Sequence, residues 1–513
     1  MLSGQDSRLA HAWQNLQLLA LSLAFLPFDT FILAFSYFAG FFLYFKSTAH
    51  RYHVRGTNTP YLQPRTILVT GVGMTKGLAL ARLFYVAGHN VIGADFESTL
   101  VPSTAGHVSK SIKAFHRLQK PDGTNEGSAR YAQSILNIIR KEKVDLWVSC
   151  SGVASAVEDG QAKEMIELVT NCKAVQFDIA TTKKLHEKHT FIEHTQSLGL
   201  AIPETHTVTS KSEVAKVLEQ AKPGRKFIMK FIGTDDTVRG DMTLLPFSSQ
   251  AATQAHISRL QISKDRPWIL QQYIKGPEYC THSLVVRGEV KAFVACPSAE
   301  LLMHYEAIPT DSALTRDMLR FTQEFAAEGG KDFTGHLSFD FLVDADDAKA
   351  AQEDPSKHVT LYPIECNPRA HTAVCLFNDT PEMVSKGYMS LLESPEGQGN
   401  RKAQVNGATP ATPVYPRSPA KYYWIGHDLV ELVILPVMSL MLLQGARLDE
   451  VYNSIMRFIE HLIWWRDGTF EIWDPLPAWW LYHVSWPFQF LTALLSGSKW
   501  SRINVSTMKV FGC

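Results

Sequence analysis

No CxxC pair and no Cys/His cluster occurs in this chain. Its seven cysteines stand apart at 150, 172, 280, 296, 366, 375 and 513. That spacing argues against a zinc centre, and the odd count suits reduced cytosolic thiols, not a disulfide framework. Net charge is also missing: 50 Lys and Arg balance 50 Asp and Glu. Nothing therefore favours nucleic acid as the main partner, although a nucleotide substrate needs only a few local cations. No internal repeat is present. The 513 residues allow two to four domains and a large core. A 45% hydrophobic and 19% charged composition suits a globular protein with a membrane segment.

What is present begins with the apolar run Leu18 to Phe45, interrupted by Pro27 and Asp29. At helical rise it is long enough to span a bilayer, and the Pro-Phe-Asp break could instead divide it into two interfacial pieces. Lys46, Arg51, Arg55 and Arg65 follow. The positive-inside tendency then puts the larger C-terminal portion in the cytosol. The run is too long for a cleaved signal peptide and no small-residue cleavage site is evident. The bland alternative is a buried core helix. The expectation is membrane attachment through residues 1–56, with the oligomeric state left open.

Residues 57–65, with Pro60 and Pro64, form a linker. Thr66 to Thr70 is then a buried strand, Gly71 to Gly77 a turn, Leu78 to Val86 a helix and Asn90 to Asp95 a second strand. This βαβ pattern predicts a Rossmann-like parallel sheet over 66–185. The glycine-rich turn followed by Asp95 also mimics a dinucleotide fingerprint, which would make the chain an NAD(P)-dependent oxidoreductase. Against that, Lys76 holds the third glycine position, and no Tyr-x-x-x-Lys pair follows. Val144 to Cys150 is a further strand. The small-residue turn Ser151 to Ala156 beyond it is either an acceptor contact or a tight helix start. Residues 181–199 read as one helix, with Lys183, Lys184 and Lys188 mostly on a solvated face.

The chemistry concentrates downstream. In Leu361 to Ala370, Glu365, Asn367 and Arg369 fall at alternate positions and so share one face of a strand. A carboxylate and an amide oxygen suit a hard cation, and a guanidinium suits phosphate. Gly335 to Val343 alternates likewise and carries Asp340. Paired as a hairpin, the two strands would bring Asp340 beside Glu365 and Asn367. Cys366 would point the other way, into the core. Phe227 to Lys230 is a short strand ending in a cation. The small-residue loop Gly233 to Gly240 after it could close over phosphates. Trp268 to Cys280 runs from strand through a polar hinge to a Gly-Pro turn and Glu278, an arrangement able to hold an adenine and its ribose.

This order resembles the ATP-grasp superfamily, over roughly residues 66–395. The resemblance implies a multidomain α/β and α+β protein: a Rossmann-like domain (66–185), a central subdomain (186–275) and a metal-bearing subdomain (276–395). It assigns the ATP phosphates to Lys188 and Lys230, the adenine hinge to Gln271, Gln272, Tyr273 and Ile274, and the ribose to Glu278. Asp340, Glu365 and Asn367 become ligands of Mg²⁺ or Mn²⁺, and Arg369, with Lys230, serves the transferring phosphoryl group. Three positions depart from the usual pattern. Gln271 replaces an acidic hinge residue, Ser338 stands where some relatives have a base, and no aspartate precedes Lys188. Within the superfamily, Thr66 to Lys76, Gly276 to Ser283, Ile364 to Arg369 and Trp473-Asp-Pro-Leu-Pro477 look like mycosporine-glycine synthases and fungal alkaloid enzymes of the fumisoquin type. That likeness implies an ATP-dependent ligase of secondary metabolism. It would phosphorylate an acceptor oxygen and form a C–N bond with an amino acid; an amide-forming carboxylate–amine ligase is the alternative.

His371 shares the face of Arg369 and is the first choice for a substrate contact, with His304 the second. Residues 344–358 read as an exposed hairpin insertion and 396–419 as a linker. Residues 420–513 form a Trp-rich extension, suited to a membrane interface or a substrate lid.

Overall fold

The computed structural model describes residues 2–43, 63–97, 101–150, 152, 155–222, 224–231, 243–298, 303–393, 412–443 and 445–513. The short apolar runs of the first half become parallel strands: β1 (Thr66–Thr70), β2 (Asn90–Phe96), β3 (Ala114–Leu118), β4 (Leu146–Val148) and β5 (Lys173–Val175). They form one sheet in the order β3-β2-β1-β4-β5. Helices Thr75–Val86, Asn125–Glu142 and Ala156–Val169 connect them. Buried on both faces, the central strands are almost wholly apolar, as parallel strands covered by helices must be.

Two antiparallel sheets follow. β6 (Thr205–Val208), β7 (Phe227–Phe231) and β8 (Trp268–Gln272) form a three-stranded sheet in the order β6-β8-β7. β9 (Glu278–Val286), β10 (Glu289–Ser298), β11 (Gly335–Leu342) and β12 (Tyr362–Asn367) form a four-stranded one, ordered β10-β9-β11-β12. One face of β11 is aromatic: Phe339 and Phe341 pack with Phe321 and Phe325 of the Ala313–Glu328 helix. Alternation turns Ser338 and Asp340 to the opposite face.

Three sequence expectations need correction. The stretch 181–199 is two helices, Ile179–His186 and Lys188–Ser197, broken at an extended Glu187. Residues 345–353 are not a hairpin tip but a helix, capped by Asp344, whose carboxylate accepts the Asp346 amide. The N-terminal apolar run is not divided at Pro27: a single helix runs from Arg8 to Leu43. The linker at 57–65, apart from its last three residues, and most of that at 396–419 lie outside the described residues.

The C-terminal region wraps back on the first sheet. Buried Arg82 donates from Nε to Asp474 Oδ2 (2.9 Å) and from Nη1 to Thr469 O (2.8 Å). Trp424 is fully buried and donates to Thr75 Oγ1 (3.1 Å). The extension is thus a structural part of the body that carries the site.

Candidate nucleotide and metal site

Register places the proposed ligands. β11 and β12 are antiparallel, with Asp340 opposite Glu365 and Ser338 opposite Asn367. The Asn367 amide lies 3.3 Å from Asp340 Oδ2. Cys366, between Glu365 and Asn367, is buried in the aromatic core. Burial pushes the Asp340 carboxyl well above its ordinary value, and Glu365 and Glu278 push it further. Burial also raises Glu365, but Lys188, Arg369 and Lys230 outweigh it and hold that carboxyl low. Two carboxylates and an amide side chain, crowded enough to resist joint ionisation, form an oxygen donor set that fits a hard divalent cation.

The break at Glu187 starts a new helix at Lys188, whose Nζ lies 2.8 Å from Glu365 Oε2. Lys230, at the end of β7, donates to Gln271 Oε1 (2.7 Å). Burial, and then the neighbouring charge of Lys188, lowers its ammonium to about 8. Glu278 Oε1 accepts from Ser298 Oγ (2.7 Å), and its charge reaches Lys230 and Asp340. The loop at 233–240 lies outside the described residues.

The hinge is more committed than its sequence implies. The Gln272 amide donates to Glu204 O and the Tyr273 amide to Lys226 O, both at 2.7 Å. Gln271 spends its side chain on Lys230 and on Thr205 Oγ1 (3.2 Å). Gln271 in place of an acidic residue therefore ties this segment to Lys230.

Beyond Asn367 the chain turns into a buried polar chamber facing the first sheet. Among the described residues, buried Arg369 Nη1 has no hydrogen-bond partner, and neither has Ser338 Oγ, buried on the same face as Asp340. Lys76, from the glycine-rich turn, reaches across and donates to Ala370 O (3.0 Å). Burial and then the Arg369 charge bring its ammonium down to about 7. His371 is neutral: burial, Lys76 and Arg369 lower it to about 3. Its Nδ1 accepts the Ala373 amide, so the proton sits on Nε2. His336, bonded to Tyr388 Oη (2.7 Å), and His282 complete the cluster. Sequence reasoning passed over Lys76, His336 and Tyr388. Only Lys76 carried a signal, as the residue that spoils the dinucleotide fingerprint.

Two other expected contacts, His304 and Asp95, are engaged by protein groups. His304 Nε2 bonds the fully buried Asp428 (2.9 Å), which also accepts from His461 Nδ1 (2.6 Å). Asp428 and His461 belong to the C-terminal helices. Asp95 accepts the Gly73 amide (2.6 Å) and the Phe96 amide (2.7 Å), closing the glycine-rich turn. The turn at Ala105–Val108 packs on the glycine-rich turn so closely that a Cβ on Gly106 would lie 2.5 Å from Val72 O. Asp95 is thus engaged by the backbone amides of Gly73 and Phe96.

No protein-family model matches the chain, and no curated protein sequence matches it. Among solved structures it is similar to N5-carboxyaminoimidazole synthetase from Staphylococcus aureus complexed with ADP. The identity is 14%, coverage is 60% of this chain and 71% of the other, and the TM-score is 0.41. It is also similar to an L-amino acid ligase from Bacillus licheniformis (12%, 60% and 68%, TM-score 0.39). A third is a biotin carboxylase complexed with β,γ-ATP from Campylobacter jejuni (16%, 65% and 73%, TM-score 0.43). Likeness at this level says nothing of the reaction.

Proposed function

We propose that the chain is an ATP-grasp ligase that activates an acceptor oxygen with ATP and joins an amino-acid amine to it through a C–N bond. The observation that carries this reading is the convergence of Asp340, Glu365 and Asn367 with Lys188 and Lys230 at the meeting of two antiparallel sheets. Adenine would lie at the hinge around Ile274, ribose at Glu278 and phosphates at Lys188 and Lys230. Asp340, Glu365 and Asn367 would hold Mg²⁺, which when bound neutralises phosphate charge.

The γ-phosphoryl passes to the acceptor oxygen and ADP leaves. The amine then attacks the carbon bearing that oxygen, phosphate departs with the bonding electrons, and the new nitrogen gives up a proton. Arg369, with an N–H still seeking an acceptor, suits the oxygen on which charge develops. Lys76 and the neutral His371 extend the same chamber and suit an anionic acceptor. No enzyme nucleophile is needed; positioning and charge neutralisation do the chemistry. The assignment to secondary metabolism follows from the motif resemblance alone. We further propose that the protein works attached to a membrane, with the catalytic body in the cytosol.

The test is ADP release measured against a panel of amino acids with candidate acceptors. Glu365→Ala should abolish turnover and leave the melting transition in place. Undiminished turnover in that variant would reject the metal-site assignment.

A further inference from the structure

The N-terminal helix has its polarity reversed. His11, Asn15, Ser22, Asp29 and Ser36 recur at four- and seven-residue spacing and so lie along one stripe. His11, Asn15 and Ser36 are buried. Most of this stripe docks on the C-terminal region. Asn15 Oδ1 accepts from Trp500 Nε1 (3.0 Å), Ser22 Oγ donates to Tyr482 O (2.8 Å), and Asp29 pairs with His483 (2.8 Å). The opposite stripe, with Trp13, Leu16, Leu23, Phe31, Phe35 and Phe38, is exposed. A helix on a water-soluble body buries its apolar stripe and exposes its polar one.

The docking also has length. Further contacts at Thr30 with Trp479 (3.1 Å) and at Tyr37 with Lys110 (4.5 Å to the ring) tie the helix down beyond Asp29. From Asn15 to Tyr37 the tethered part covers about 33 Å, and a bilayer's hydrocarbon core is about 30 Å thick. A docked helix that crossed the core would carry Lys110, His483 and Trp500 into it. Arg8 and Asp29 are the formal charges within the helix, and Asp29 is spent on the docked face. The outer stripe is thus uncharged from Trp13 to Phe38, which matches hydrocarbon. Lys46, Arg51 and Arg55 follow in the sequence, complementary to anionic headgroups. Exposed large apolar side chains elsewhere fall mostly after residue 434; among the described residues the exceptions are Leu168, Val169, Phe247 and Met383.

We infer that the chain docks on a lipid surface from one side, its N-terminal helix lying in the plane of the interface with the Trp13–Phe38 stripe in the acyl layer. This gives the membrane attachment proposed above its mode. It rests on that attachment and not on the ligase reading.

Two measurements on the full chain test it. In flotation with phosphatidylcholine vesicles, with and without phosphatidylserine, the wild type should float, and more so with phosphatidylserine. The triple variant Phe31→Ser, Phe35→Ser, Phe38→Ser should bind about tenfold more weakly or worse. Its circular dichroism and melting should be unchanged, because these rings are already exposed. Equal flotation of the two overturns the inference. So does a wild type that ignores vesicles and instead forms a dimer that the triple variant cannot. The second measurement uses sealed microsomes and a membrane-impermeant maleimide. With Cys513→Ser removing the exposed native thiol, Gln5→Cys should label from outside as readily as Glu126→Cys on the catalytic body. A protected Gln5→Cys beside a reactive Glu126→Cys means the helix crosses, and overturns the in-plane arrangement.

Discussion

Lys188 and Glu365 form an ion pair at 2.8 Å between the first turn of a helix and the middle of β12. Both are partly exposed, so the pair adds little to folding. Its interest is that one partner belongs to the proposed phosphate site and the other to the proposed metal site. A divalent ion taking Glu365 would free Lys188 for a phosphate oxygen. Lys188→Met should therefore raise the KM for ATP by about ten- to a hundredfold, the worth of one charge-assisted hydrogen bond. The melting temperature should barely move. An unchanged KM would remove Lys188 from the nucleotide site.

Asp340 predicts a proton count. Burial, then Glu365 and Glu278, hold its carboxyl well above the ordinary range, so it gives up its proton at higher pH than an ordinary carboxyl. A divalent ion needs the carboxylate and must expel that proton. Mg²⁺ affinity should then rise with pH. Calorimetry in two buffers of different ionisation enthalpy should report proton release on ion binding. Asp340→Asn should abolish that buffer dependence together with most of the affinity.

Lys76 predicts a pH dependence of opposite character. Its ammonium falls to about 7 in the folded protein from 10.5. Below pH 7 both states carry the proton, and the full cost of a buried charge weighs on the fold. Between pH 7 and 10.5 the folded state releases the proton first, so that cost fades as pH rises. Lys76→Met should stabilise the protein most at pH 6–7, less the roughly 1 kcal/mol of the lost bond to Ala370 O. The charge contribution should vanish near pH 10.5, leaving only the loss of that bond. Urea titrations across this range measure it. A gain that grows with pH would mean Lys76 is charged and compensated in the fold.

The legible and illegible parts of the site divide by range. Alternation put Glu365 and Asn367 on one face, and Asp340 on the matching face of its strand, because a strand's period of two is local. The Ala345–Glu353 helix also had a local signal that was missed: Asp344 as its cap before an alanine-rich run. So did the N-terminal helix, whose polar residues Asn15, Ser22, Asp29 and Ser36 repeat at seven. The break at Glu187 had none. Neither glycine nor proline marks it, and it arises where two helices meet β12. The chamber of Lys76, His336, Arg369 and Tyr388 joins residues some three hundred positions apart, and no window of sequence carries that.

The Trp473-Asp-Pro-Leu-Pro477 motif, seen in sequence as a family likeness, acquires a physical role in Asp474. Its side chain is fully buried and accepts from Arg82 Nε (2.9 Å), Ser109 Oγ (2.6 Å) and the Lys110 amide (2.8 Å). Its carbonyl takes a second Arg82 bond (2.8 Å), and Trp473 stacks on Tyr85. The motif thus clasps the C-terminal extension to the helix after the glycine-rich turn. Asp474→Ala leaves the Arg82 guanidinium buried and uncompensated, which should cost about 3–5 kcal/mol in chemical denaturation. Arg82→Met alone should be similarly harmful. Removing both charges together, as Arg82→Met with Asp474→Leu, should cost far less than the two single changes added, because no orphan charge remains. The KM for ATP of the folded single variants should hold, since these groups make no contact with Lys188, Lys230 or Asp340. Additive losses in the double variant would show that the two side chains act independently and that the clasp is held by the ring stacking instead.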